Sequence, residues 1–405
     1  MTALTGAMPG AAHAAVTGTV AVWGWNIYGQ TDVPAGLDGV TAIASGANHT
    51  LALKSDGTVV GWGENFEGEA SPPAGLRGVV ALTAGYDHTV ALKRDGTVVA
   101  WGSNETGQTD VPAQLLGVQA IAAGHFHTLA LKNDGTVVAW GWNSGGQLNV
   151  PAGLQGVRAV AAGRYHSVAL TSSGQVVAWG ANYAGQSTVP AGLHGVVAIA
   201  AGSENTMALK SDGTVVAWGS NLVGQSHVPA GLRNVRAISS GGAHALALRR
   251  DGSLVAWGDD SEGQTDRPPG LRNVMALAAG GYHTVALQSS LDFGGFVGAV
   301  NAPPTINTLQ AGVGVPVKFS LGGDHGLAIF AGAYPAARTL ACSPDARTDE
   351  IEQTVRADRS RLTYNADTGT YTYVWKTDPA WSGQCRRLVL RFADGIEHTA
   401  LFRFR

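Results

Sequence analysis

The chain has 405 residues, a formal net charge of -3, 14% charged residues and 45% hydrophobic ones. No block of Lys and Arg stands out, so phosphate neutralisation has no electrostatic basis and nucleic acid is not an expected partner. No apolar run is long enough to span a bilayer, and 57 Gly with 16 Pro fit strands joined by tight turns better than disorder.

Residues 1–18 read as a flexible tail. Within it, Ala12-His13-Ala14 has the small-x-small form of an export-signal cleavage site, and also fits an ordinary Ala/Gly-rich tail. From Thr19 a period of 39 residues sets in. Its Trp-Gly pairs begin at Trp23, Trp62, Trp101, Trp140, Trp179, Trp218 and Trp257 without a slip. Four segments recur, typified by Val40–Gly46, His49–Lys54, Thr58–Gly63 and Gln30–Pro34. All are short, β-prone and bounded by turn residues, which predicts strands.

Asp56-Gly57, Asp95-Gly96, Asp134-Gly135, Asp212-Gly213 and Asp251-Gly252 mark two-residue hairpins, whose central residues need positive φ. Pro34, Pro112, Pro151, Pro190 and Pro229 put the last segment on an outer edge, because proline cannot donate to a ladder. The small-residue segment is the natural inner strand. Four antiparallel strands per repeat make a propeller blade. The array opens on the third segment and ends after the second, at Leu287, so the N-terminal strands complete the last blade. The prediction is an all-β fold with a seven-bladed β-propeller over 19–288, its ring closed by the N-terminal strands.

His49, His88, His127, His166, His244 and His283 share one column, with Asn205 in the remaining repeat. One imidazole per blade of a wide ring cannot converge on an ion, so these are read as bonded to the neighbouring blade's backbone. No metal or cofactor is expected. The seven Trp residues read as wedges between blades. Glu204-Asn205 and Ser172-Ser173-Gly174 break the pattern and are read as drift. No nucleophile with a paired base is evident, nor asymmetric carboxylates on inner strands, so the chain is not expected to be an enzyme. A polysaccharide lyase or hydrolase is the weakest reading.

Connectivity puts two sets of loops on one rim: the turns after the inner strands and the loops after Trp-Gly. There the residues vary, and nine are aromatic: Trp25, Tyr28, Phe66, Tyr86, Phe126, Trp142, Tyr165, Tyr183 and Tyr282. Variable loops on a rigid scaffold collect binding residues, and exposed rings anchor interfaces. The plainer alternative is that the rings fill gaps between loops.

The run from Ala120 to Gln147 resembles the regulator of chromosome condensation repeat. Its compact form, with Gln108 to Ala113 following one copy, looks like the bacterial branch, which includes propeller-type β-lactamase inhibitory proteins. The resemblance covers about residues 19–288. It implies a secreted bacterial binder gripping an enzyme with aromatic and charged loop residues, in slots held here by Trp25, Tyr86, Phe126, Trp142, Tyr165 and Tyr282.

Residues 289–304 read as a linker ending in Pro303-Pro304, and 305–405 as an antiparallel β-sandwich. Cys342 and Cys385 are the only cysteines and pair best as a disulfide, which implies an oxidising compartment. Pro316-Val-Lys-Phe319, with Tyr371 to Trp381, resembles a bacterial C-terminal module with a Pro-x-Lys-Phe motif, found at the ends of secreted and surface proteins. The expectation is a secreted or cell-surface monomer that binds another protein, with glycan or cell-wall binding as the alternative.

Overall fold

The computed structural model describes residues 16–342, 348–350 and 361–405, so Ala12-His13-Ala14 lies outside the described residues. The chain forms two compact units, one running to Gln288 and the other from Ser289 to Arg405.

The first unit is a series of three-stranded antiparallel sheets. In one of them, inner strand Val118–Ala123 pairs with middle strand His127–Lys132, which pairs with outer strand Val137–Gly141. The same arrangement recurs over 79–102, 157–180, 196–219 and 235–258. A sixth sheet has six strands, in the order Val274–Ala279, His283–Ser289, Gly18–Gly24, Val40–Ser45, His49–Lys54 and Val59–Gly63.

Local chemistry fixes each hairpin. Asp134 Oδ1 accepts from the Thr136 backbone N–H at 3.0 Å and from its hydroxyl at 2.6 Å, while Gly135 takes φ +80°. The expected two-residue turn with positive φ at both residues is not the one formed: Lys132 N donates to Thr136 O at 2.9 Å around a three-residue loop, and only the Gly of each Asp-Gly pair has positive φ. Middle strands are buried on both faces and supply the Leu, Val and Ala of the core. Each core lies between successive sheets. Leu129 and Leu131 of one meet Val157, Val160 and Trp179 of the next.

The predicted fourth strand does not form: each repeat contributes three strands. Asn26 Oδ1 takes the Thr31 N–H at 2.8 Å, Gly29 O takes that of Asp32 at 3.0 Å, and Thr31 O takes that of Val33 at 3.0 Å. Pro34 has no N–H, so residues 31–34 keep no donor for a ladder.

In the second unit, Phe296–Val297, Gly314–Ser320, Thr370–Lys376 and Arg361–Asn365 make one antiparallel sheet. The other orders Ala336–Leu340, Cys385–Arg391, Glu397–Phe404, Ile306–Leu309 and Thr348–Glu350. Here Ile306–Leu309 runs parallel to both neighbours, so the expected antiparallel sandwich is mixed. Val315, Val317 and Phe319 share a core with Leu388, Leu390 and Phe402. Cys342 and Cys385 are disulfide-bonded. The expected linker is built in: Leu291 and Val300 are buried in this core, and Phe296–Val297 pairs with Lys318–Phe319.

Candidate functional site

Each inner strand ends in a glycine that admits no side chain. A Cβ on Gly124 would stand 2.3 Å from Gly163 O and 2.4 Å from the His127 ring. The residues that follow turn toward the next repeat and bond it through the backbone. Ala47 N donates to Tyr86 O (3.3 Å), Tyr86 N to His125 O (3.1 Å) and His125 N to Gly163 O (3.2 Å). Arg164 N then reaches Ser203 O (3.1 Å), Ser203 N reaches Gly241 O (3.0 Å) and Gly242 N reaches Gly280 O (3.0 Å). Gly281 N donates to Gly46 O at 3.2 Å and to Ala47 O at 3.0 Å.

A side-chain relay lies beneath this belt. His49 Nε2 meets Thr89 Oγ1 at 3.0 Å, and Thr89 gives its own proton to Glu69 O at 2.8 Å. The imidazole therefore carries its hydrogen on Nε2 and donates. Trp101 Nε1 donates to the same carbonyl at 3.0 Å, using its second lone pair. The His column thus bonds a neighbouring hydroxyl, not the neighbouring backbone that the sequence suggested. Burial holds His49, His88, His166 and His283 near pKa 3, so they are neutral. Asn205 is the exception, and so is its would-be partner, Ala245 in the Thr column. Both ends of one link are replaced together.

Above the belt, turn residues from successive repeats enclose a cup of about 410 Å3, walled by Tyr86, His125, Arg164, Glu204, Leu222 and Tyr282. His125 Nε2 reaches Ser203 Oγ at 3.1 Å. Both are unique in their column, but burial and Arg164 hold His125 near pKa 3, too low for an effective general base at neutral pH.

The nine rings sort into groups. Tyr86 stacks on Phe126 at 5.7 Å, and Phe126 on Tyr165 at 6.2 Å, with Arg164 5.0 Å over the Tyr165 ring. Tyr28 and Phe66 meet edge to face at 5.8 Å. Trp142 bonds Ser144, and Tyr183 stands 65% exposed. Tyr282 lines the cup, and Trp25 is half-buried, its backbone N–H on Tyr282 O at 2.9 Å.

Sequence reasoning missed two features. Ile27, Leu222 and Val223 occupy the same loop slots and are exposed, Leu222 to 91%. A count of rings alone overlooked them. Glu64, Glu69 and Asp87 bring carboxylate oxygens within 4.8 Å of one another. Glu69 stands where the other repeats have Gln, and that exchange was legible. Its Oε2 still accepts the Glu67 N–H at 2.9 Å, as the Gln side chains accept theirs. Burial, then Glu64 and Glu69, push Asp87 up to about 7. Calcium takes six or more oxygens as a rule, roughly twice what three monodentate carboxylates supply.

Repeating β-sheets with one Trp wedge each define the class: an RCC1-like repeat propeller carrying a second β-unit. Residues 40–69, 79–108, 118–147, 157–186, 196–225 and 235–264 each match the regulator of chromosome condensation (RCC1) repeat. Among solved structures, the fold is similar to yeast RCC1 (Prp20) bound to Kap60, with TM-score 0.60 and 19% identity over 68% of this chain and 90% of that one. Prp20p from Saccharomyces cerevisiae, described with its binding to Gsp1p and histones, gives 0.57 and 19% over 68% and 93%. Human WBSCR16 gives 0.56 and 21% over 66% and 99%. No curated protein matches the chain.

Proposed function

We propose that this chain is a secreted bacterial protein, a monomer, whose first unit is a closed seven-bladed ring that captures another protein on its loop rim. The observation that carries the reading is the difference between rims. One bears near-identical Asp-Gly hairpins. The other bears Phe66, Tyr183 and Leu222, exposed to 78%, 65% and 91%. Exposed apolar residues grouped on one surface mark interaction sites.

Closure is supported by the Gly281-to-Gly46 bond and by Gly18–Gly24 lying beside His283–Ser289. The seventh repeat is divided between the chain ends, so a contiguous repeat pattern matches six copies. A protein partner is supported by the similar yeast propeller bound to Kap60. The disulfide supports export. No catalytic step is assigned to any residue.

The test is capture from a bacterial secretome by the full chain and by Phe66→Ala/Trp142→Ala/Tyr183→Ala/Leu222→Ala. The wild type should retain proteins that the variant loses. If every captured protein stays bound to the variant, the rim assignment is wrong. Stoichiometric inhibition of a β-lactamase checks one particular target. Glycan binding is a second reading, favoured by the exposed ring of Tyr183. Co-sedimentation with cell-wall polysaccharide separates the two.

A further inference from the structure

We infer that the protein captured on this rim presents a basic surface, with Lys and Arg set beside apolar side chains. The inference rests on the protein-binding reading above and adds the chemistry of the partner.

The whole chain is close to neutral, at -3, but its charge is unevenly spread. The turns after the inner strands and the loops after Trp-Gly hold nine carboxylates against one guanidinium, Arg164. The carboxylates concentrate on the loops at 64–69, 103–108 and 259–264. The loops at 142–147, 181–186 and 220–225 belong to three consecutive repeats and carry no charge at all. They carry Trp142, Tyr183, Leu222 and Val223 instead, all exposed. The rim therefore carries acidic loops at 64–69, 103–108 and 259–264, interrupted by the uncharged loop at 25–30, and beside them an uncharged apolar run over three consecutive repeats.

Like charges crowded together favour a cationic visitor. Glu64, Glu69 and Asp87 lie with their oxygens within 4.8 Å, and Asp87 is held near 7 by burial and by its acidic neighbours. A cation approaching that seam relieves the repulsion. Polyanions such as nucleic acid meet the opposite effect. Complementary potentials of this kind steer encounter and select partners.

A random peptide display library panned against the full chain supplies the probe. Retained peptides should be enriched in Lys and Arg beside Trp or Leu. Their affinity should fall roughly tenfold between about 50 mM and about 500 mM salt. It should fall by a similar factor in Glu67→Gln/Glu105→Gln/Glu262→Gln. These three side chains are exposed, so the variant should keep the wild-type melting temperature. Peptides that depend on Tyr183 and Leu222 yet show no Lys/Arg enrichment would overturn the basic partner and leave protein binding intact. If no retained peptide weakens in the Tyr183→Ala/Leu222→Ala variant, the protein-binding reading itself fails. Heparin binding that this variant abolishes would overturn the inference as well.

Discussion

In five repeats one carbonyl accepts from both an indole and a hydroxyl and acts as a keystone. Glu69 O receives the Trp101 indole at 3.0 Å and the Thr89 hydroxyl at 2.8 Å, and that hydroxyl receives His49 at 3.0 Å. At Asn205 and Ala245 this relay is missing, and Asn205 instead accepts from Ser240 Oγ at 3.1 Å. Installing Asn205→His alone strands a buried N–H opposite a methyl group and should cost about 1–3 kcal/mol. Adding Ala245→Thr should recover about 1 kcal/mol of coupling in a double-mutant cycle of denaturant unfolding. Asp87 offers a second check. Its carboxyl binds protons more tightly folded than unfolded, so its share of stability is lost as pH rises from about 4 to about 7. Asp87→Asn should therefore raise the melting temperature more at pH 8 than at pH 5.

At the scale of the element, what the sequence made legible were features carried by residue type alone. The positions of the hairpins and of the first three strands of each repeat follow from turn chemistry and β-propensity, but the turn type does not, because only the Gly of each Asp-Gly pair takes positive φ. Gly135, at φ +80°, would set a Cβ 3.3 Å from the Gly156 backbone, so Gly135→Ala should cost about 1–2 kcal/mol in thermal or denaturant melts. The fourth segment misled because Asn26 captures the Thr31 N–H through its side chain, a competition that propensity does not register. Residues 289–304 misled for a related reason. Their Gly and Pro content suggests a linker, while the burial of Leu291 and Val300 depends on strands far along the chain. The rings of the rim could be named from loop position. The stack of Tyr86, Phe126 and Tyr165 depends on how neighbouring turns approach in space, and no spacing rule reports that.

For the whole first unit, two expectations concern cooperation between repeats. The six buried imidazoles are neutral when folded and take up protons once exposed. For His49, His88, His166 and His283 stability is therefore full above pH 6.5 and falls as pH drops toward about 3, and for His244 toward about 4. The loss should approach about 1.4 kcal/mol per histidine per pH unit, read as a steep fall in melting temperature below pH 6. Removing residues 1–34 deletes strand Gly18–Gly24 and leaves the edge of His283–Ser289 bare. Such a chain should aggregate on gel filtration, and a peptide of residues 17–34 added in trans should restore the elution volume of the full chain.

The bonds that carry the rim run from main chain to main chain, from Ala47 around to Gly281, and ask nothing of the residues displayed above them. A lineage can therefore rewrite its recognition alphabet one letter at a time while the frame underneath stays legible. By the same logic, twelve of the fourteen turn positions that follow the inner-strand glycines make a natural template for laboratory repertoires, the exceptions being Gly242 and Gly281, where a Cβ would meet the neighbouring backbone at 2.4 Å and 2.7 Å. New specificities could be sampled there without retuning the core.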